Sequence, residues 1–460
     1  MKRTCQDHLV AWLNSDTRKP LLIRGARQVG KSTLVRLFAR AQGLSLCEVN
    51  CERHRKLESV FATMDPTAIR REIEITLGTQ IADQKTLLFI DEIQAIPEAI
   101  QSLRYFYEEM PDLPLVAAGS LLEFALQKKS FSMPVGRVEY LYIGPMSFEE
   151  FLDACGEDVL LSELRGYRMG SAFSAAAHER LCALTRDYYF VGGLPAAVLE
   201  YSKQRSTAAV VAVHDSILET YRDDFGKYAT GKEVDRLQRL FDALSGAVTG
   251  GKFRYVNALP EEQPREVRSA LMMLAKAGVA TLVHHASCSG LPLAAGTNDR
   301  IFKLLMLDVG LLHASLGVHD IPASVLQQRN LLTEGRAAEQ FIGQHLLYCG
   351  TPHRRPTLHY WLREGRSSNA EVDFVLTDQG RIIPVEVKSG RAGALRSLHQ
   401  FVAEKAAGFA LRFDLNPPSV QDIAVTVSTE SGAQQIAYRL LSLPHYMVGQ
   451  ALRVFGETFG

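Results

Sequence analysis

The chain has no excess of either charge: 51 Lys and Arg stand against 51 Asp and Glu, a formal net charge of +0 over 460 residues. A surface that is basic throughout is therefore excluded, and any contact with a polyanion must be made by a local patch. Cysteine is sparse and scattered, seven residues with no C-x-x-C pair. Neither a disulfide framework nor a zinc site follows from such an odd, unpaired set, and Cys47 and Cys51 read as free thiols. No apolar run approaches the roughly 18 residues that a membrane helix needs. The N-terminal stretch MKRTCQDHLVAWLNSD is broken by Asp7, His8 and Asn14 where a signal peptide would carry an apolar core. The expectation is a cytoplasmic protein without membrane contact. At 47% hydrophobic and 22% charged residues, the composition is that of an ordinary globular protein, and its length suggests about three domains.

Charge is nevertheless uneven. Residues 1–40 hold nine Lys or Arg against two Asp, and residues 353–366 hold His353, Arg354, Arg355, His359 and Arg366 besides Arg363, against one Glu. A basic patch and a solvated face are both compatible with that pattern.

The strongest signal is GARQVGKS at 25–32, which satisfies G-x-x-x-x-G-K-[ST] at every fixed position. It follows the apolar run Leu21-Leu22-Ile23 and precedes the helical stretch LVRLFAR, so strand, loop and helix come in the order a phosphate-binding loop needs. The span Gly25, Ala26, Arg27, Gln28, Val29, Gly30, Lys31, Ser32 and Thr33 is expected to hold the nucleotide. Gly25 and Gly30 let the backbone wrap the β-phosphate, Lys31 reaches the β/γ oxygens, and Ser32 can hold Mg²⁺.

From residue 1 to about 125, helix and strand signals alternate, the pattern of a parallel sheet covered by helices. TLLFIDE at 86–92 delivers Asp91 and Glu92 to the C-terminal end of a buried strand. Asp91 should organise the magnesium shell and Glu92 polarise the attacking water. LPLVAAGS at 113–120 ends in Ser120, whose hydroxyl can contact the γ-phosphate or the water; a plain turn residue is the competing reading. Arg137 in MPVGRVEY is a candidate cation for transition-state charge, with a surface arginine as its alternative.

These segments, GARQVGKSTL, LLFIDEIQAIPEAIQSLRYFYE, AAGSLLEFAL and GRVEYLYIGPMSFEEFL, together with RDYYFVGGLPAAVLEY at 186–201, resemble the prokaryotic AAA-type ATPases that carry a C-terminal domain of unknown function, DUF4143. The resemblance implies ATP as the nucleotide, a sensor role for Ser120 and a lid of short helices between about 150 and 230. Arg27, Gln28 and Gln94 are also as the family leads one to expect.

Helical signals around 234–248, then EVRSALMMLAKAGVATLVHH with its Gly278 stop and β-branched strand start, read as a winged-helix-like segment. Its presumed recognition helix offers only Arg265, Arg268 and Lys276 as cations, a modest footprint for DNA. Asp308 in the following run reads as a helix cap or ion-pair partner.

The last segment holds EVDFVLTDQGRIIPVEVKSG at 371–390, a hairpin carrying Asp373, Glu386 and Lys388. Period-2 alternation puts Glu386 and Lys388 on one face and the hairpin brings Asp373 alongside. Two acids can hold a divalent ion and a lysine can orient its water, the chemistry of phosphodiester hydrolysis. Glu339, in EGRAAEQFIGQHLLY, stands in a spacing from Gly335 that resembles the first acidic position of PD-(D/E)xK nucleases. That resemblance carries Glu339, Asp373 and Glu386 over as metal ligands and Lys388 as the catalytic lysine. Gln400 is a candidate support for the site. A binding platform that keeps the fold without cutting is the competing reading.

The fold expected is α/β: a P-loop parallel-sheet ATPase core at 1–150, a helical lid at 151–230, a winged-helix-like segment at 231–322 and an α/β nuclease-like domain at 323–460. The function expected is an ATPase that needs Mg²⁺, acts on DNA, can form a homo-oligomer, and controls a nuclease-like domain by its nucleotide state. The alternative is a nucleotide-dependent switch that docks DNA or protein without cleavage.

Overall fold

The computed structural model describes residues 1–125, 134, 136–248, 251–318, 332–363, 369–429 and 432–460. It divides into two compact units. The first is Met1–Pro145 with Lys276–Val279 and Gly350–Pro356; the second is Met146–Ala275, Ala280–Cys349 and Thr357–Gly460. The break at Pro145/Met146 lies near the boundary expected at 150, whereas the boundary at 322/323 falls outside the described residues.

In the first unit the strands are β1 (Leu21–Arg24), β2 (Ser45–Asn50), β3 (Thr86–Asp91), β4 (Leu115–Gly119) and β5 (Glu139–Tyr142). They form one sheet in the order β2-β3-β4-β1-β5, and every pairing is parallel. A parallel sheet is covered on both faces, so its central strands must be apolar throughout. All residues of β3 and β4 are accordingly buried. Helix Pro97–Glu109 contributes Ile100, Leu103 and Phe106 to the same core. Local signals fix the helix ends. Asp65 caps Pro66–Leu77 by accepting from the Thr67 and Ala68 amides, Pro66 opens the helix, and Gly78 ends it in the left-handed conformation.

The second unit opens with helices Phe148–Ala154, Asp158–Gly166, Ala175–Val191, Pro195–Gln204 and Val211–Asp224, so the segment expected to be a helical lid is helical. Helices Lys232–Ala247, Tyr255–Ala258 and Pro264–Lys276 then precede an antiparallel pair, β6 (Ala280–Ala286) and β7 (Thr297–Met306). That order is the one a winged helix has. The remaining strands are β8 (His359–Arg363), β9 (Ala370–Asp378), β10 (Arg381–Val387), β11 (Phe409–Asp414), β12 (Ser419–Thr429) and β13 (Gly432–Pro444). All eight lie in one sheet, β12-β13-β11-β10-β9-β8-β6-β7. The wing is therefore not a separate layer: β6 pairs with β8 in parallel and extends the C-terminal sheet.

The VGGLP signature has a packing reason. Asp308 caps helix Val309–Ser315, its Oδ1 accepting from Gly310 N at 2.9 Å and Leu311 N at 3.3 Å, while its Oδ2 accepts from Gly193 N at 2.7 Å. A Cβ on Gly192, which has φ +70°, would stand 1.9 Å from Asp308 Oδ1, and one on Gly193 would stand 2.1 Å from the Met146 carbonyl. Only glycines let the chain come so close to this buried carboxylate.

Candidate functional sites

Parallel pairing of β1, β3 and β4 sets their C-terminal ends side by side, and the phosphate loop leaves β1 there. Gln28 at φ 67° and Gly30 at φ 90° put the loop into left-handed turns before helix Lys31–Ala41 begins. Gly25 is required for a different reason: a Cβ there would meet the Ile143 carbonyl at 2.3 Å. Lys31 is buried and folds back on the loop, donating to Gly25 O at 3.1 Å and Ala26 O at 2.8 Å. Burial lowers its pKa to about 8, against the raising effect of Glu92 and Asp91. Ser32 Oγ donates to Asp91 Oδ2 at 3.0 Å. The two residues assigned to Mg²⁺ are thus already in contact, and burial pushes the Asp91 carboxyl above its ordinary range despite that bond.

Glu92 follows Asp91 at φ 49° and ψ 42°, a left-handed conformation that costs a non-glycine residue about 1–2 kcal/mol. Two neighbours hold it there. Gln94 Nε2 donates to Glu92 Oε2 at 2.6 Å, and Ser120 Oγ donates to the same oxygen at 3.4 Å. Gly119, the last residue of β4, leaves room for the clamp, since a Cβ there would stand 2.2 Å from Gln94 Oε1. Ser120, expected to contact the γ-phosphate or the water, is here bonded to the acid, and Gln94 acquires a role that sequence reasoning had not given it.

Arg137 is placed elsewhere. It precedes β5, whose first residue Glu139 pairs with Leu21 at the start of β1, so it sits at the strand ends away from the loop. There Arg137 Nε donates to Glu108 Oε1 at 3.0 Å. The basic N-terminal residues are also engaged: Arg3 donates to Val29 O at 2.9 Å and Gly144 O at 2.8 Å, Arg24 pairs with Glu123 at 2.9 Å, and Arg36 chelates Glu48. Arg3 thereby braces the loop, and Arg24 and Arg36 are each paired with an acid of the same unit. In the second basic stretch Arg363 bonds Gln400 and Glu404, each at 2.9 Å; residues 364–366 lie outside the described residues. Gln400 accepts from Arg363 at 2.9 Å and donates to the Ser428 carbonyl at 2.9 Å.

The second unit gathers a cluster of acids and lysines. The register of β9 and β10, carried one residue past Phe374 and Val385, sets Asp373 opposite Glu386. Asp373 Oδ2 accepts from Val387 N at 2.7 Å, and Lys388 Nζ donates to Glu386 Oε1 at 2.5 Å. Burial, helped by the Asp373 charge and opposed by Lys388, raises the Glu386 carboxyl to about 7. His445 braces the lysine's strand, its Nε2 bonding the Lys388 carbonyl at 2.9 Å and its Nδ1 the Tyr189 hydroxyl at 2.6 Å. Helix Leu332–Leu347 supplies Glu339, but the acids grouped with it are Glu371 and Asp373, whose oxygens all lie within 4.8 Å of one another. Of the trio expected from sequence, Glu339, Asp373 and Glu386, the first two share this group with Glu371, which alternation along β9 puts on the face of Asp373, while Glu386 stands opposite Asp373 on β10.

A further residue enters from β7. Lys303 is fully buried and donates to Glu339 Oε1; its Nζ is 3.6 Å from Glu371 Oε1. Burial alone would lower its pKa, but Glu339, Asp373 and Glu371 together raise it, so it is an ammonium. Burial in turn raises the Glu339 carboxyl to about 7 against the pull of Lys303. Glu339 is thus already paired with a cation of the chain, and the predicted metal set does not present three free carboxylates. The signal for Lys303 was a lone cation within the apolar strand RIFKLLML.

Residues 17–152 match the family model described as AAA domain, so the phosphate-loop unit is an AAA domain. Residues 183–321 and 334–429 match two domains of unknown function, DUF8612 and DUF4143. No curated protein matches the chain. Among solved structures it is similar to a RuvB variant of Thermotoga maritima, with 16% identity over 60% of this chain and 87% of that one at a TM-score of 0.29. The Thermotoga maritima RuvB Holliday junction branch migration motor gives 15% identity over 59% and 85%, with a TM-score of 0.28. PCH-2 of C. elegans gives 12% identity over 44% and 62%, with a TM-score of 0.26.

Proposed function

We propose that the chain binds Mg²⁺ and ATP at the Gly25–Thr33 loop, hydrolyses the nucleotide, acts on DNA, and uses its nucleotide state to control the acid–lysine site of its second unit. One observation carries the hydrolytic part: Glu92 is held in a costly conformation by Gln94 and Ser120, next to the Ser32–Asp91 pair. Nucleotide binding alone has no use for a strained, clamped carboxylate, whereas hydrolysis needs one to orient water. Ser32 and Asp91 fit Mg²⁺, which would neutralise phosphate charge there. Lys31 must leave the Gly25 and Ala26 carbonyls to reach phosphate, and the loop glycines leave its backbone free to close round it. Lys31→Ala should lose nucleotide turnover, while Glu92→Gln should keep ATP binding and lose about 10²- to 10⁴-fold in turnover. Unchanged turnover in both removes this mechanism. Arg137 stands at the strand ends away from the loop and pairs with Glu108, so any service to a transition state would be to another subunit's nucleotide in a homo-oligomer.

The DNA part rests on the C-terminal D…E-x-K pattern and on Arg265 and Arg268, both exposed on helix Pro264–Lys276. A second reading, a nucleotide-dependent switch that grips DNA or protein without cutting, is favoured by Lys303, which pairs with acids that a nuclease would give to metal. Supercoiled plasmid with Mg²⁺ or Mn²⁺ separates the two. Nicking that disappears in Asp373→Ala supports the nuclease, and intact plasmid supports the switch.

A further inference from the structure

Carboxylates as close as those of Glu339, Glu371 and Asp373 ordinarily suit a divalent cation, but here a cation of the chain reaches them first. Lys303 comes from β7, at the sheet edge, and β6 and β8 separate that strand from β9. None of its side chain is exposed. The ammonium donates to Glu339, stands 3.6 Å from Glu371, and lies 4.5 Å from the Phe374 ring centroid and 5.3 Å from that of Tyr360. A lysine head so enclosed is tolerated only when it is paired, and the pairing must be maintained because no water is at hand to replace it. Glu386, by contrast, is buried with Oε2 lacking any hydrogen-bond partner, and Lys388 serves only its other oxygen.

We infer that Lys303 is the resident cation of this cluster: it holds Glu339 and Glu371 and keeps both out of divalent-metal coordination. A divalent ion at the site has Asp373 and Glu386 as its carboxylates, with the orphan Glu386 oxygen as the open donor. The site is also composite, since Lys303 lies in the segment matching DUF8612 and its acidic partners in the one matching DUF4143. The inference rests on reading this cluster as the second unit's functional site, but it is tested by ion binding and not by turnover or cleavage.

Mn²⁺ titration followed by electron paramagnetic resonance of the free ion decides it. The full chain is used without nucleotide, and every protein carries Asp91→Asn so that the phosphate-loop site holds no ion. The parent should bind Mn²⁺ measurably through Asp373 and Glu386, and Glu339→Gln and Glu371→Gln should stay within about threefold of it. Lys303→Met should bind at least about tenfold more tightly, since two carboxylates are released to the metal. A loss beyond threefold in either acid variant, or a folded Lys303→Met of parental affinity, overturns the inference. If Lys303→Met does not fold, the acid variants decide alone. Failure here leaves the ATPase reading standing, because no nucleotide takes part.

Discussion

At the scale of single residues, the phosphate site was legible because its chemistry is local. Lys31 and Ser32 are sequence neighbours, and Asp91 and Glu92 end one apolar strand, so motif and pattern sufficed. Gln94 was visible as a family feature, but its role was not, since the bond to Glu92 depends on the left-handed turn at Glu92 and on the bare Gly119 backbone. Gln94→Ala should therefore lower kcat by roughly 10- to 100-fold with little change in KM, the effect expected when a partner that only orients a reactive group is lost. Steady-state kinetics checks this, and a rise in KM alone would mean that Gln94 serves binding. Lys303 was not legible for the opposite reason: it meets Glu339 at a separation of 36 residues, and nothing in the local pattern of either names the other.

Among elements, apolar runs announced β1, β3, β4 and the β9–β10 hairpin, but not their neighbours in the sheets. The hairpin β6–β7 reads as a wing, yet it joins β8 through a parallel pairing that no local signal specifies. Buried histidines then tie distant elements. His345, on helix Leu332–Leu347, accepts from Phe148 N at 2.8 Å through Nε2 and bonds Phe341 O at 2.7 Å through Nδ1. This arrangement requires the neutral ring, and burial lowers its pKa from 6.5 to about 4, as it also does for His445. The unfolded chain takes up these protons first, so the stabilising contribution is complete above about pH 6.5 and lost as the pH falls towards 4. By linkage each ring should cost roughly 2 kcal/mol of stability at pH 5 relative to neutrality. Denaturant unfolding of the second unit at pH 7 and pH 5 should show the loss, and His345→Gln should remove its share of the slope. An equal slope in that variant would assign the effect to other groups.

For the whole molecule, the two compact units have different standing. The first is an AAA domain with its loop, strand-end acids and orienting partners in register. The second combines a helical segment, a winged-helix order and an acid–lysine cluster within one eight-stranded sheet, and no helix among the described residues is long and apolar enough to cross a membrane. The central claim is that ATP is hydrolysed at Glu92 in the service of DNA. It is tested most directly by ATP turnover of the wild type and Glu92→Gln, with and without linear, branched and single-stranded DNA, at low and moderate salt. Stimulation by one DNA form that vanishes in Glu92→Gln is the expected result. Turnover indifferent to every DNA form, or undiminished by Glu92→Gln, would contradict it.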